Sequence, residues 1–413
     1  MTTTPQSDNC NPLPDKKAKR VCLRLMADLD SGAEKLPLEG DGKMLGILVC
    51  DNAEGNRVVL KAFSGQVGGC WVIPGWCGPA FSVPDYKAVL EEADRQVKSL
   101  EKAGLDSRSV SAAAMRSLFD LYRIHCIDGS VKTYSEIFGD VMPPSGTGDC
   151  AAIKLLNCAF KNHLKPLSMA EFYYGGQSSS ATREPCHFYP PCREKCAPLL
   201  KEMLGLDILY RDQEIVVVSK PAGLLSVPGR GEDKQDCVVN RLKRLFPDCI
   251  ENPAVHRLDM DTSGIQVLAL TKESHRFLSM EFESRRVHKK YTALLDGILH
   301  SSGGILALPF RLDPENRPYQ VYDPVHGRMC ITLWRRLSVY DGKTLVEFTP
   351  LTGRTHQLRV SSANTKGLGI PIVGDRLYGT RKEGQRLMLH AGCISFTHPW
   401  SKEKIEFKVD APF

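Results

Sequence analysis

HRLDMDTSGIQVLAL, the stretch His256–Leu270, decides the fold that we expect for this chain. It opens on alternating cationic and acidic residues, turns through the tripeptide TSG (262–264), and closes on the apolar run 265–270. Small polar residues followed by a short apolar run are typical of a loop that feeds a buried strand. The strand holds the carboxylate of Asp259 at a sheet edge, with Arg257 beside it. The stretch therefore predicts a rigidly placed carboxylate in cationic surroundings.

The segment before this stretch predicts another strand and turn. ILYRDQEIVVVSKPAGLLSVPGR (208–230) contains the β-branched run Ile215–Val218 and then the turn KPAG (220–223). Proline fixes the backbone of such a turn and glycine permits its unusual dihedral angles. A helix over about Val238–Phe246 leads back to the stretch described above.

A cationic segment follows that stretch. FESRRVHKKYTALLDG (282–297) predicts the basic end of a helix and then an alternating strand that carries Tyr291. Its cations form either a phosphate-binding patch or an ordinary solvated face. These cations are Arg285, Arg286, Lys289 and Lys290.

Taken in order, these segments resemble the RluA-type pseudouridine synthases, which isomerise uridine in RNA. HRLDMDTSG matches the family's HRLD-x-x-TSG motif. LTGRTHQLRV (351–360), which we interpret as a strand, resembles its GRTHQLRVH motif, although Ser361 stands where the family usually has His. The segments 312–337, 371–379 and 387–407 resemble further parts of the RluA branch. The resemblance spans about 206–413 and implies an α/β pseudouridine synthase fold, with a mixed, largely antiparallel sheet around a central RNA cleft.

The resemblance also implies roles for individual side chains. Asp259 is the nucleophile, Tyr291 stacks on the target uracil and relays a proton, and Arg359 is the partner of Asp259. The residues implied in RNA contact are Arg257, His256, Arg354, His356, Lys220, Arg285, Arg286, Lys289 and Lys290. Arg257 fills the space that an extruded uracil leaves, because guanidinium planes stack on bases. The pocket is lined by Leu389 and His390. We expect Ser361 to affect packing or RNA contact rather than chemistry.

The chemistry explains why a carboxylate is needed. Pseudouridine formation breaks the N-glycosidic bond, rotates the uracil and rejoins it to the ribose through carbon. There is no redox change or group transfer, so we expect no cofactor. An ionised carboxylate can attack either C1′ of the ribose or C6 of the base. A nearby guanidinium keeps that carboxylate charged in a partly dry cleft.

Composition agrees with an RNA partner for the second half of the chain. The 413 residues carry a formal net charge of +6. Residues 1–200 hold 23 Lys and Arg against 23 Asp and Glu, whereas residues 201–413 hold 31 against 25, so the whole excess lies in the second half. A polyanion is therefore expected to meet that half. No apolar run is long enough for a membrane span, so we expect no membrane partner.

The first half predicts a separate domain of its own. Residues 1–40 are polar and poor in apolar periodicity, which predicts a disordered tail. Residues 41–204 predict an α/β domain of unknown role, ahead of the catalytic domain at 206–413. We expect a hairpin from Lys43 to Phe63, helices over 85–103, 107–125 and 150–163, and a strand over 165–174.

Cysteines raise one alternative in that first half. GDCAA (148–152) and PPCREKC (190–196) are reminiscent of zinc deaminases, with Cys150, Cys192, Cys196 and His187 as candidate metal ligands. Two features depart from that pattern: the last two cysteines are spaced CxxxC, and Ala152 stands where a deaminase carries its proton-shuttling Glu. We therefore favour buried, reduced thiols and predict no metal, with a structural metal site as the alternative that needs no such acid.

The expectation is thus a monomeric RNA pseudouridine synthase that acts on tRNA or rRNA. Fifteen cysteines in a chain without a secretory signal favour the cytoplasm, with mitochondria and the nucleus as alternatives. A catalytically silent RNA-binding protein is one rival. A protein with an added zinc-dependent deaminase domain is the other.

Overall fold

The computed structural model describes residues 12–38, 42–176, 183–192, 195–380, 382 and 384–413. The chain divides into two compact units, one made chiefly of residues before 208 and one chiefly of residues from 208 onward. None of the helices in the described part of the chain has both the length and the apolar composition that a bilayer crossing requires.

The first unit is built on a four-stranded sheet with the order β2-β1-β5-β6. Its helices and strands are α1 (Lys16–Asp30), β1 (Lys43–Asp51), β2 (Arg57–Phe63), α2 (Val83–Lys102), α3 (Arg108–Phe119), β3 (Ile124–His125), β4 (Val131–Lys132), α4 (Tyr134–Phe138), α5 (Ala151–Lys161), β5 (Lys165–Tyr174), β6 (Phe188–Tyr189) and α6 (Ala197–Leu204). β1 is central, because it pairs antiparallel with both β2 and β5.

Helices cover both faces of β1, which is why its interior is an unbroken apolar run rather than an alternating one. Leu45, Ile47 and Val49 pack into a core with Cys22 and Met26 of α1. On the other face, a Cβ placed on Gly46 would lie 2.9 Å from Leu155 of α5. The glycine therefore lets α5 lie close against the sheet.

Most predicted elements of this unit are confirmed. The hairpin forms from β1 and β2, and β5 has the predicted bounds. The helix predicted over 107–125 ends earlier, at Phe119, and the chain turns so that Ile124 and His125 pair with β4. The amide of His125 donates to Oδ1 of Asn157 at 2.8 Å, which secures this short strand to α5.

The prediction of a disordered tail over residues 1–40 is wrong for Lys16–Asp30, which form α1; residues 1–11 and 39–40 lie outside the described residues. Only four residues of α1 are fully buried, so its apolar stripe is narrow and the polar composition hides it. The stripe consists of Ala18, Cys22, Leu25 and Met26. The oxygen Oγ of Ser168 in β5 accepts a hydrogen bond from the amide of Ala18 at 2.9 Å, so tertiary contacts hold this helix on the sheet.

The second unit is organised by a ten-stranded, largely antiparallel sheet, as predicted. Its elements are β7 (Asp207–Arg211), β8 (Ile215–Lys220), α7 (Val238–Leu245), β9 (Ser263–Ala269), α8 (Lys272–Glu283), β10 (His288–Leu295), β11 (Gly303–Leu312), β12 (Gln320–Tyr322), β13 (Arg328–Tyr340), β14 (Lys343–Pro350), α9 (Gln357–Ala363), β15 (Leu389–Thr397) and β16 (Lys404–Lys408). The order is β12-β11-β13-β14-β10-β15-β9-β8-β7, with β16 paired to β15. β9 and β15 run parallel, which makes the sheet mixed.

The middle of this sheet brings distant segments together. β15 lies between β9 and β10, so the loop before β9 and the start of β10 meet across it. Gly264 has a φ of +117°, and a Cβ there would lie 2.4 Å from the carbonyl oxygen of Ala391. Only glycine permits this close parallel contact at the start of β9.

Candidate active site

A cleft of about 840 Å³ opens in the second unit where these segments meet. The loop before β9, the start of β10, the loop before α9 and the start of β15 all contribute to its lining. Of the residues singled out from the sequence, the cleft brings together Arg257, His256, Asp259, Arg285, Lys289, Tyr291, Arg354, His356, Arg359 and Leu389.

Hydrogen bonds to the neighbours of Asp259 fix its position. Oγ of Ser226 accepts from the amide of Leu258 at 2.9 Å and donates to the carbonyl of Leu258 at 2.8 Å. On the other side, Nζ of Lys220 donates to the carbonyl of Met260 at 2.9 Å. The backbone is thus held on both sides of Asp259 while the carboxylate, 22% exposed, faces the cleft.

Arg359 reaches the carboxylate of Asp259 but is bound more tightly elsewhere. Its Nη1 lies 3.8 Å from Oδ2 of Asp259. Its Nε and Nη2 form a two-pronged pair with Asp375, at 2.8 and 2.6 Å. Burial works to lower the pKa of Arg359, but the hydrogen bonds and charge of Asp375, joined by Asp259, outweigh it and raise that pKa. Arg359 is therefore a fixed cation beside Asp259.

Arg359 lies on a helix, not on the strand interpreted from the sequence. The short run HQLRV does not distinguish alternation from helical spacing. His356 has a φ of +53°, and the chain then enters α9 at Gln357. The side chain of Gln357 accepts from the amide of Arg354 and donates to the carbonyl of Ile331, which holds the loop before α9 against β13.

His356 is the second nitrogen group near Asp259. Its Nε2 lies 4.0 Å from Oδ2 of Asp259, and its Nδ1 lies 2.9 Å from the hydroxyl of Tyr378. Burial lowers the pKa of His356, and the charge of Arg359 lowers it further against the opposing effect of Asp259. The nitrogens of Arg359 and His356 both stand beyond 3.5 Å from the carboxylate, which leaves its oxygens free for a substrate atom.

Tyr291 contributes the aromatic surface of the cleft. It lies on β10, where it pairs with Phe348 of β14 and packs against the core beneath the cleft. Burial, followed by the charge of Asp259, raises the pKa of Tyr291. The phenol is therefore protonated at neutral pH and can donate a proton, but it is not a resting base.

His256 supports the cleft rather than presenting a charge. Its Nε2 accepts a hydrogen bond from the amide of Val267 at 2.9 Å, which ties the loop to β9. Its ring stacks on Phe282 at 4.7 Å between centroids. Burial and the nearby Lys289 lower the pKa of His256 to about 3, so the ring is neutral at physiological pH.

Four residues predicted to touch RNA or line the pocket lie outside the cleft lining. Lys220 is 1% exposed, and its ammonium donates to the carbonyls of Pro221, Leu224 and Met260, which leaves it no donor for a phosphate. Arg286 forms an ion pair with Glu281, with its Nε 2.5 Å from Oε1 of that residue.

The other two residues also have partners elsewhere. Lys290 lies 3.4 Å from Glu347, because alternation along β10 points it away from Lys289 and Tyr291. His390 lies behind the site, where its Nδ1 accepts from the hydroxyl of Ser263 at 2.8 Å. Burial lowers the pKa of His390, so it is a neutral support for the loop.

Sequence reasoning missed Asp375 and Tyr378 as members of the site. Asp375 is fully buried and holds Arg359, while Tyr378 bonds His356 and lies 5.6 Å from the guanidinium of Arg359. The motif PIVGDRLYG contains both residues. An acidic residue in a largely apolar motif was the one sign in the sequence that Asp375 could be buried with a cationic partner. Ser361 is buried in α9 and is not part of the cleft lining, so it affects packing. Asp261, two residues after Asp259, pairs with Arg376 at 2.8 Å.

In the first unit, three of the four candidate metal ligands come together. The Sγ atoms of Cys150, Cys192 and Cys196 all lie within 4.8 Å of one another. His187 is exposed, with its Nε2 3.3 Å from Glu184, and does not join them. Ala152 lies in the first turn of α5, so this position supplies no acid for proton transfer to a substrate.

Comparison with known proteins was made on the sequence and on the fold. Residues 214–364 match the family model described as RNA pseudouridylate synthase. The dual-specificity RNA pseudouridine synthase RluA of Yersinia pestis is 41% identical over 210 residues, which are 50% of this chain and 99% of that protein. RluA of Escherichia coli strain K12 is 42% identical over 212 residues, covering 50% of this chain and 94% of that protein. The solved structure of human RNA Pseudouridylate Synthase Domain Containing 1 is 31% identical, with a TM-score of 0.42 over 50% of this chain and 84% of that one.

Proposed function

The chain belongs to the RluA-type RNA pseudouridine synthases, and on that premise we propose that it isomerises uridines of tRNA or rRNA with Asp259 as the nucleophile. The observation that carries the assignment of Asp259 is its place in the cleft. Its carboxylate is exposed to the cleft, its backbone is bonded on both sides, and a buried guanidinium stands 3.8 Å away. A charged carboxylate beside a fixed cation is a suitable nucleophile.

The reaction proceeds by addition and return of the carboxylate. Asp259 attacks C1′ of the ribose or C6 of the uracil, and the N-glycosidic bond breaks. The freed uracil rotates, its C5 bonds to C1′, and the proton on C5 is lost while the ring nitrogen that left the ribose gains one. Atoms and electrons balance without a cofactor, since the product is an isomer of uridine.

Tyr291 contacts the uracil of the target nucleotide. Its ring provides an apolar face for the uracil, and its phenol, protonated because of its raised pKa, donates a hydrogen bond or a proton during the rotation. Arg359 has a different task. Its bonds to Asp375 keep it from closing on Asp259, so it stabilises the charge of the carboxylate without covering it.

The target uridine reaches this site only when it leaves its stack. Arg257 is exposed at the cleft, and its guanidinium fills the space that the base vacates. Arg285, Lys289 and Arg354 line the same cleft and bind the phosphates on either side of the target nucleotide. The named relatives are dual-specificity RNA pseudouridine synthases, which favours more than one RNA as a substrate of this chain.

We place the reaction in the cytoplasm and assign it to a single chain. The fourteen cysteines that the structure describes are all free thiols, which suits a reducing compartment.

Release of the C5 hydrogen tests the proposal. Transcripts of tRNA and rRNA labelled with tritium at uridine C5 are incubated with the wild-type chain and with Asp259→Ala. The wild-type chain is expected to release tritium into water, and the variant to release none above background while still binding the RNA. Equal release by both would overturn the role of Asp259. No release by either, with binding intact, would favour a silent RNA-binding protein.

A further inference from the structure

Three cysteines from separate segments meet in the first unit. Cys150 comes directly before α5, Cys196 comes directly before α6, and Cys192 lies in the segment between β6 and α6. Sγ of Cys150 and Sγ of Cys196 are 3.0 Å apart, and Sγ of Cys192 is within 4.8 Å of both. In the part of the chain that the structure describes, this is the one group of three side chains whose ligand atoms gather closely enough to hold a metal ion.

Helix N-termini lie beside two of the three sulfurs. Cys150 and Cys196 stand at the N-termini of α5 and α6, where the helix dipole stabilises an anion, whereas their shared hydrogen bond and burial raise the pKa of the Cys150 thiol. Glu171 of β5 is buried nearby, and its Oε1 accepts from the amide of Ala152 at 2.9 Å. Thiolates next to a buried carboxylate need a cation to neutralise them, and without one the buried groups keep their protons.

A side chain that could supply that cation is engaged elsewhere. Lys154 lies one turn along α5 and is fully buried. Its ammonium donates to the carbonyl of Gly65 at 2.6 Å and lies over the ring of Phe63. The ammonium is thus held against another part of the core.

We propose that Cys150, Cys192 and Cys196 bind one Zn²⁺ ion through their thiolates, with a fourth position for water or an external ligand. Zn–S bonds of about 2.3 Å in a tetrahedron separate the sulfurs by about 3.8 Å. The 3.0 Å between the sulfurs of Cys150 and Cys196 is below that value and the other sulfur pairs are within 4.8 Å, so the ion requires only small side-chain shifts. Each thiol gives its proton to solvent as the ion binds, so uptake of one Zn²⁺ releases up to three protons.

Two other states of these thiols fit the geometry less well. A disulfide between Cys150 and Cys196 needs sulfurs about 2.05 Å apart and leaves Cys192 without a partner. An iron–sulfur cluster joins its cysteines to different iron atoms, which spreads the sulfurs farther apart than a single ion does. One soft divalent cation uses all three sulfurs at once.

The ion would be structural. It would tie the start of α5, whose first six residues are buried, to the start of α6. Ala152 stands in the first turn of α5, where a deaminase would carry its proton-shuttling acid, and the nearby carboxyl group of Glu171 is buried and bonded to the amide of Ala152. This inference concerns the first unit and does not depend on the proposed RNA isomerisation.

The test is made on the full chain purified under reducing conditions with zinc in the growth medium. Elemental analysis is expected to find one zinc per chain in the wild type and in Cys186→Ser, which alters an exposed cysteine six residues from Cys192. Cys192→Ser is expected to lose zinc, whereas Cys192→His, which restores a ligand, is expected to keep it. Circular dichroism shows whether each variant is folded.

A cobalt titration tests the same site without any variant. The wild-type chain is first stripped of metal with a chelator. Co²⁺ is expected to give an intense thiolate-to-metal absorption band at one equivalent, and its addition is expected to raise the melting temperature. Folded wild-type protein without zinc and without this band would overturn the proposal, as would full retention of zinc in Cys192→Ser. A Cys150–Cys196 disulfide in the mass spectrum of the reduced preparation would overturn it too.

Discussion

Asp259 shows how a reactive side chain can be fixed without being covered. The backbone bonds go to its neighbours Leu258 and Met260, while its own carboxylate meets the nitrogens of Arg359 and His356 only at 3.8 and 4.0 Å. The restraint on Arg359 is what maintains this gap. Asp375 takes the short hydrogen bonds of the guanidinium, so Asp259 keeps an electrostatic partner and an open face.

Replacement of Asp375 by Asn tests that restraint. Asparagine keeps an oxygen for the amides of Leu377 and Tyr378 but leaves the charge of Arg359 buried and unmatched. We expect the free energy of unfolding to fall by about 3 kcal/mol or more, measured by urea denaturation. We also expect the turnover rate to fall, because Arg359 can then close on Asp259.

Asp236→Asn is the matched control, since Asp236 pairs with Arg241 at 2.7 Å on the surface, with the two side chains 56% and 30% exposed. That loss should cost less than about 1 kcal/mol. An Asp375→Asn chain as stable as the control would contradict the account of the buried pair.

Two substitutions of Tyr291 distinguish the two roles proposed for its side chain, which are stacking on the uracil and donation by the hydroxyl. Tyr291→Phe keeps the stacking face and removes the hydroxyl, so we expect kcat to fall by on the order of 10²-fold while KM changes little. Tyr291→Ala should raise KM as well, because the stacking face is lost. Single-turnover kinetics on a labelled RNA measures both. Tyr340→Phe, on an exposed tyrosine of β13, should match the wild type. A wild-type rate in Tyr291→Phe would restrict Tyr291 to stacking.

At the scale of elements, successive side chains of β10 point to opposite faces of the sheet, which separates its lysines. Lys289 and Tyr291 face the cleft, whereas Lys290 points to the other face and pairs with Glu347. Sequence proximity alone had placed both lysines in one phosphate-binding patch. The strand geometry assigns them to opposite surfaces.

The salt dependence of RNA binding distinguishes the two lysines. Lys289→Ala should weaken binding and reduce the slope of log Kd against log salt by about 0.7 to 0.9, the share of one phosphate contact. Lys290→Ala should leave the slope unchanged. Filter binding at four salt concentrations measures both slopes. An equal loss for the two variants would mean that RNA also covers the far face of β10.

The elements that sequence patterns predicted well are those with one unambiguous period. β5 and the hairpin of β1 and β2 have long β-rich runs, and they were found with nearly the right bounds. α1 was missed because four buried residues carry its contact with the sheet. α9 was interpreted as a strand because five residues are too few to separate the two periods.

At the scale of the molecule, the succession of motifs between about 206 and 413 was enough to predict the fold and most of the cleft. The partnership of Arg359 with Asp375 was not predictable, because sixteen residues and a loop separate the two and only the fold brings them together. The burial of Lys220 was missed for a similar reason. Its three carbonyl partners include Met260, which lies forty residues away.

Relatives of about half this length suggest that the second unit is self-sufficient. The protein from Yersinia pestis aligns over 99% of its own length to 50% of this chain. We therefore expect residues 206–413, produced alone, to fold cooperatively and to release tritium from C5-labelled RNA within about tenfold of the full-chain rate. A fragment that is folded but inactive would show that the first unit takes part in catalysis.

The most direct test of the central claim is site-resolved mapping of pseudouridine in tRNA and rRNA treated with three chains: wild type, Asp259→Asn and Asp261→Asn. Asp261 is the nearest acid along the chain and is committed to Arg376, so its variant controls for loss of charge in the same loop. The account predicts new pseudouridine at defined positions with the wild type and with Asp261→Asn, and none with Asp259→Asn. Pseudouridine at the same positions with Asp259→Asn would contradict it.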